Sequence, residues 1–493
     1  MQHFFALDIG TTHCKAIIID EDGNILHACK ATITSVQQQE GQHEQDAEVI
    51  FQKVTELLKE CILFSRENKI ACVSFSAAMH SIMAVDKNGN PLTNAISWAD
   101  TRSKKYAQAL RNSKEGKAIY MHTGTPVHAM SPLCKLLWMK NEHSVIFVQA
   151  FKFISIKEYI FYRLFGKYII DEGIASATGL YDIYNHSWYA PSLKLAGIDA
   201  SKLSEVMPAT HAETELTAAI KKQLNITSSV PFVLGGNDGC LANLGCGALS
   251  NNIAVLTIGT SGAVRLTIQP PVCEDAKGLF RYLLTNKIYV TGGPINNGGI
   301  ALQWFAENFL QVSLLKTGSL NTVMELATQS PAGADHLFFL PYLLGERAPV
   351  WDEEARGVFY GLTIKHTKAH LTRAVIEGIS FSLLQILEET GKESNNIHSV
   401  YVSGMVTQSS FWMQLLADMF GKKIILNDVT DASAMGAAFM GMHAVGFIND
   451  LTEVKKFLKA DKVFVPDEEV HKIYLKQFEV YKKLYPALKN ISI

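Results

Sequence analysis

Several features that would settle the class of this chain are missing from it. Hydrophobic residues make up 48% of its 493 residues, yet no stretch is an uninterrupted apolar run of the ~20 residues that cross a bilayer. The first ten residues, MQHFFALDIG, have no basic segment, and Asp8 interrupts their apolar run, so they do not read as a secretory signal. Net charge is −2, without a basic or acidic tail. That excludes a general attraction to nucleic acid or to a membrane surface. Cys14, Cys29, Cys61, Cys72, Cys134, Cys240, Cys246 and Cys273 form no C-x-x-C pair, so neither a zinc motif nor a redox motif is indicated. Several lie in apolar runs and read as buried free thiols. The P-loop pattern, G-x-S-x-G and H-E-x-x-H are absent as well. GCGALS (245–250) lacks the last glycine of a dinucleotide fingerprint and reads as a linker. The expectation is a cytoplasmic globular protein of two to four domains, at roughly 150 residues per domain.

What the chain does have is a repeat. LDIGTTHCKAIIID (7–20) returns as LTIGTSGAVRLTI (256–268), with Asp8 replaced by Thr257. Each copy reads as strand, turn, strand. Gly10 and Gly259 let a ligand approach the backbone closely, and successive N–H groups in such turns make an anion-binding concavity. Two turns of this kind fit the phosphates of one nucleotide. Only one of them needs a carboxylate for a hard cation such as Mg²⁺, which keeps most of its waters. The offset 257 − 8 = 249 suggests a duplicated domain, with the boundary near the turn-rich 245–252.

Around the first copy, residues 3–9, 14–20 and 25–30 read as strands, 46–66 as an amphipathic helix and 70–76 as a buried strand. The segment 83–92 reads as a hairpin tip, and 100–225 as mostly helical. Around the second copy, a third strand is expected at 287–291, a glycine-rich turn at 292–299, and helices at 369–389, 409–420 and 432–446. The 432–446 helix is rich in small residues that suit close backbone packing. The pattern is α/β.

MSPLCKLLWMKNE (130–142) and GVFYGLTIKHTKAHLTRAVIEG (357–378) are long gapped patterns, and with them the chain resembles the FGGY family of carbohydrate kinases. The resemblance covers nearly the whole chain, to about residue 450. It implies two ribonuclease-H-like (actin-like ATPase) domains flanking a catalytic cleft, here 1–248 and 249–493. ATP and Mg²⁺ are the implied cofactors, and a small sugar or sugar acid the partner, with no nucleic acid and no membrane. A homodimer is common in the family, but no interface is readable in this sequence. Carried over residue by residue, Gly10, Thr11, Thr12 and Lys15 match the first phosphate loop, with Asp8 attending Mg²⁺ through water. Thr257, Gly259 and Thr260 match the second loop. Gly299, Gln303 and Gly404 fall where the family contacts nucleotide, with Met405 in place of a usual second glycine. Asp238 in GGNDG matches the catalytic base; a positioned carboxylate can take the proton of an attacking hydroxyl.

The implied sugar-side residues are Met79, His80, Trp98, Asp100, Arg102 and Asp238. SAAMHSIMAVD (76–86) and ISWADTRS (96–103) look most like the branch that phosphorylates D-gluconate to 6-phosphogluconate. A bidentate Arg suits a sugar-acid carboxylate, and Arg102 and His80 are the candidates. An Arg–Asp pair internal to the loop is the alternative for Arg102, and a satisfied core histidine the alternative for His80. The alternatives for the whole chain are a xylulokinase or another pentulose kinase, and a non-catalytic actin-like nucleotide-binding protein.

Overall fold

The computed structural model describes every residue except 227, 271–277, 317, 395, 428, 430 and 492–493, and leaves the side chains of 427, 460 and 461 undescribed. Cys273 falls outside the described residues; the other seven cysteines are free thiols. The chain divides into two compact units, 1–249 with 280–290 and 431–458, and 250–279 with 291–430 and 459–493. The sequence-based division at 248/249 lies within a residue of the first break. Two later segments, 280–290 and 431–458, group with the first unit.

In the first unit, β1 (Gln2–Ile9), β2 (His13–Ile19) and β3 (Ile25–Thr32) form an antiparallel meander. The turn into β3 is held by Asp20, whose carboxylate accepts from the backbone N–H groups of Asp22 and Asn24. Helix α1 (Ala47–Phe64) begins at Asp46, which caps Glu48 and Val49. It is the crossover that a parallel pair requires, and it leads to β4 (Lys69–Ala77), parallel to β1. β5 (Phe232–Asn237) lies parallel to β4, giving the order β5-β4-β1-β2-β3 with the short strand Ala212–Glu213 on the β5 edge. The stretch between β4 and β5 includes helices at Lys104–Arg111, Lys114–Thr123, Pro132–Glu142 and Ala190–Ala196. They share an apolar cluster around Leu133, Leu136, Met139 and Leu193.

The second unit repeats this order. β6 (Ile253–Ile258) pairs antiparallel with β7 (Gly262–Ile268). β8 (Ile288–Ile295), whose residues 291–295 belong to this unit, lies beyond β7. β9 (Ser399–Gly404) runs parallel to β6, and β10 (Lys423–Asn427) parallel to β9. The sequence β8-β7-β6-β9-β10 is thus third-second-first-fourth-fifth, as in the first unit. One expectation fails here. GGPI (292–295) continues β8 rather than turning, because two glycines let the strand lie against its neighbours. A Cβ on Gly292 would sit 2.1 Å from the Val264 carbonyl, and one on Gly293 would sit 2.5 Å from Ala348 Cβ. The strand Phe280–Thr285 was not legible in the sequence.

The helix Ala432–Ala444 packs on β1 and β4 and against α2 (Asp238–Gly245). Small residues permit that approach. A Cβ on Gly245 would meet the Ala432 carbonyl at 1.9 Å, and one on Gly436 the Leu241 carbonyl at 1.9 Å. The packing carries Asp431, the N-cap of this helix, to the end of β1.

Candidate active site

Asp8 is the penultimate residue of β1, 8% exposed. Its register partners are Lys15 on β2 and Ser76 on β4. The Ser76 hydroxyl donates to Asp8 Oδ1 at 2.6 Å. Lys15 Nζ donates to Asp431 Oδ2 at 2.7 Å. Burial raises the Asp8 pKa to about 7, and the negative charges of Asp431 and Asp238 add to the rise, while Ser76 and Lys15 oppose it. Asp8, Asp238 and Asp431 thus act on one another, with Lys15 and Lys157 the lysines within electrostatic reach of Asp8. Such a donor set fits a hard divalent cation.

Asp238 opens α2, and its placement has a clear local origin. β5 shifts register between Val233 and Gly236. Gly235 takes φ +66° there, and a Cβ would stand 1.9 Å from the Phe75 carbonyl. This bulge re-aims the strand end. Asn237 then caps α2 through Cys240 N–H at 2.8 Å and donates to the Gly173 carbonyl at 3.0 Å. Beneath it, Lys157 pairs with Asp171 at 2.8 Å, both buried, and donates to the Gly236 carbonyl at 3.1 Å. Asp238 itself is half-buried and accepts from Gly239 N–H at 2.8 Å.

The loops expected from the sequence to face the sugar also belong to the first unit. Lys135 is fully buried. Its ammonium donates to the carbonyls of His80 at 2.7 Å, Ser97 at 2.7 Å and Ile96 at 3.3 Å. It therefore staples the loop after β4 to the loop carrying Trp98, Asp100 and Arg102. Burial pulls its pKa down to about 7, against the pull of Asp100. His80 has φ 69°, and its Nδ1 lies 2.7 Å from the Ala177 carbonyl oxygen. Its Nε2 lies 3.4 Å from the Tyr282 hydroxyl. Met79 and Trp98 are half-buried. Asp100 is buried, accepting from His43 N–H at 2.8 Å and from Arg102 Nε at 3.0 Å. Arg102 also donates to Glu44, and its guanidinium lies over the Trp138 ring at 4.4 Å. The guanidinium is thus engaged by two carboxylates of its own unit.

In the second unit, Thr257 faces Ser403 on β9 with their hydroxyl oxygens 3.0 Å apart. The β6–β7 turn is one residue shorter than the β1–β2 turn, since Ile258 pairs with Gly262 whereas Ile9 pairs with Cys14. Beyond the turns the two copies therefore align with a one-residue gap, and Lys15 corresponds to Ala263. Gly299 N–H donates to the Gly259 carbonyl at 2.7 Å, and Ile300 N–H to the Thr260 carbonyl at 3.0 Å. This ties the helix Gly299–Phe305 to the turn. Gly404, with φ +94°, passes so close to Ile258 that a Cβ would lie 2.3 Å from its carbonyl. Met405 packs its sulfur over Gly299, 2.4 Å from where a Cβ would be. Gln303 donates to Glu307 at 3.0 Å on the surface of its helix.

Sequence reasoning passed over Ser76, Asp431 and Ser403, and it placed Lys135 in the signature MSPLCKLLWMKNE without giving it a role. An Asp before a run of small helical residues is an N-cap signal for Asp431. Extending the repeat to the fourth strand of each unit would have paired Ser76 with Ser403.

The fold and the turns define an actin-like ATPase architecture, with one carboxylate-bearing turn and one neutral turn. Models of the FGGY family of carbohydrate kinases match the chain, the N-terminal domain over residues 3–245 and the C-terminal domain over 254–445. The gluconokinase of Bacillus subtilis (strain 168) is 35% identical over 494 residues, 99% of this chain and 96% of that protein. Two solved structures from Lactobacillus acidophilus, a ligand-bound xylulose kinase and a gluconate kinase, each superpose with TM-score 0.94 at 34% identity. Both cover 99% of this chain, and are themselves covered to 99% and 98%. The chain belongs to the FGGY family of carbohydrate kinases. It is a phosphotransferase of a family of ATP-dependent enzymes acting on small sugars. Among the described residues, no helix is long and apolar enough to cross a membrane.

Proposed function

We propose that this enzyme transfers the γ-phosphoryl group of ATP to D-gluconate, giving 6-phosphogluconate, in the cytoplasm. The observation that carries the choice of substrate is the 35% identity to a gluconokinase across 99% of the chain. Asp238 accepts the proton of the attacking hydroxyl. The bulge at Gly235 and the Asn237 cap hold it on the first turn of α2, so the base is placed by rigid elements. Phosphoryl transfer needs little covalent help beyond alignment and charge stabilisation. Gly10, Thr11, Thr12 and Lys15 of one turn, and Thr257, Gly259 and Thr260 of the other, serve the phosphates. Gly299, Gln303 and Gly404 serve the remainder of the nucleotide.

Mg²⁺ would be held by Asp8 through water and would supply charge neutralisation on the phosphates. The carboxylates around Asp8 support that assignment. Met79, His80, Trp98 and Asp100 contact or shape the sugar pocket. Arg102 acts through the loop that it braces with Asp100 and Glu44.

A pentulose substrate is the second reading, favoured by the equal likeness to a structure titled xylulose kinase. The test is ADP release with Mg·ATP across gluconate, xylulose, ribulose, glycerol and no sugar. Stimulation by gluconate is expected. Stimulation by a pentulose in its place would replace the substrate and leave the role of Asp238 standing.

A further inference from the structure

A second constellation lies on the edge strand of the first unit, among residues with no part in phosphoryl transfer. His27 and Cys29 alternate on β3, both half-buried, while their neighbours Ala28 and Lys30 are exposed. Glu60 and Cys61 lie near the end of α1, which packs on β3. His27 Nε2 is 3.0 Å from Glu60 Oε1. Donor atoms of His27, Cys29 and Glu60 all lie within 4.8 Å of one another. Phe64 stacks on the imidazole at 4.7 Å and fixes its plane.

We propose that His27, Cys29 and Glu60 form a binding site for a zinc-like divalent cation, clamping the edge strand β3 to α1. The set offers one imidazole, one sulfur and one carboxylate, three zinc-type donors that leave the fourth tetrahedral position to water. Thiolates disfavour Mg²⁺ and Ca²⁺ and select a softer ion. At zinc bond lengths of about 2.0–2.3 Å, tetrahedral donors stand roughly 3.3–3.8 Å apart. Closing from 4.8 Å asks for side-chain adjustment of about 1 Å. Glu60 is exposed and gives the ion a way in. This proposal stands apart from the sugar and nucleotide assignments.

The test uses the full chain, metal-free and kept reduced with a phosphine, titrated with Co²⁺ as the probe. A sulfur-to-cobalt charge-transfer band and tetrahedral d–d bands saturating at one equivalent, bleached by Zn²⁺, are expected. Cys29→Ser should weaken Co²⁺ binding at least about 100-fold, since changes outside the ligand shell alone cost roughly 10–100-fold. His27→Gln should shift the d–d bands. Absence of the sulfur band in the native chain, or the same band and affinity in Cys29→Ser, would overturn the site.

Discussion

In the first unit Asp8 faces Ser76 across a parallel pair of strands; in the second, Thr257 faces Ser403 at the equivalent step. Across the hairpin, Asp8 stands opposite Lys15, and Thr257 opposite Ala263. The two turns share strand order, the serine and the leading glycine. They differ in charge, and the differences come together. The carboxylate is present where the lysine is, and both are missing from the other copy. Arg265 stands beside Thr257, its Nη1 3.4 Å from the hydroxyl. The proposed division of labour follows from this contrast: a metal at the first turn, beside its carboxylates, and phosphate alone at the second, beside a neutral hydroxyl and an arginine.

The largest effect is expected outside the turns, at Asp238, the first residue of α2. Asp238→Asn keeps the size of the side chain and removes its basicity. It should lower kcat by about 10²–10⁴-fold, the range for a general base, with nucleotide binding retained. Steady-state kinetics with the active sugar check this. Full turnover in Asp238→Asn would remove the base from the mechanism.

Next comes Asp8→Thr, which writes the second turn's residue into the first. A loss of about 10²–10³-fold in kcat is expected, of the order seen when one electrostatic stabiliser is removed. The Mg²⁺ concentration for half-maximal rate should rise. An active Asp8→Thr with an unchanged Mg²⁺ requirement would mean that the two turns are interchangeable and that the charge difference does no catalytic work.

Much of this comparison was legible in the sequence, because a repeated strand–turn–strand is a local pattern. The helices at 46–66 and 409–420 and the small-residue helix were legible for the same reason. What was not legible depends on long-range packing. Asp431 reaches Lys15, 416 positions away, because glycines at 245 and 436 let two helices touch. The engagement of Arg102 by Glu44 spans 58 positions and is invisible to loop-level reading. The shorter second turn was hidden as well, since an ungapped match across it looks equally good. The strand through GGPI was missed because glycine pairs usually signal turns; here they signal close approach.

Lys135 tests the proposed sugar side of the first unit. Lys135→Met fills the space and removes the ammonium from the carbonyls of His80, Ile96 and Ser97, of which Ile96 and Ser97 keep the N–H groups of Ile82 and Asp100. Each hydrogen bond to a charged group so lost costs about 1.5–3 kcal/mol, so a fall in thermal stability is expected. The discriminating readout is kinetic. Displaced sugar loops should lower kcat/KM for sugar by up to about 100-fold, mainly through KM, while KM for ATP stays within a few-fold. Equal damage to both substrates would make Lys135 a fold residue only.

The smallest effect is expected from Thr257→Val, which removes the second turn's hydroxyl and keeps its shape. The hydroxyl lies 3.0 Å from Ser403 Oγ and 3.4 Å from Arg265 Nη1, so its net contribution should be that of one ordinary hydrogen bond, about 0.5–1.5 kcal/mol. KM for ATP should rise by less than about tenfold, since 1.4 kcal/mol is a factor of ten, and the Mg²⁺ requirement should not move. That second measurement sharpens the comparison most. If Thr257 shared the metal with Asp8, its loss would shift the Mg²⁺ titration as Asp8→Thr does, and the division of labour between the turns would fail. If the titration stays fixed while KM for ATP alone changes, the second turn is confined to phosphate.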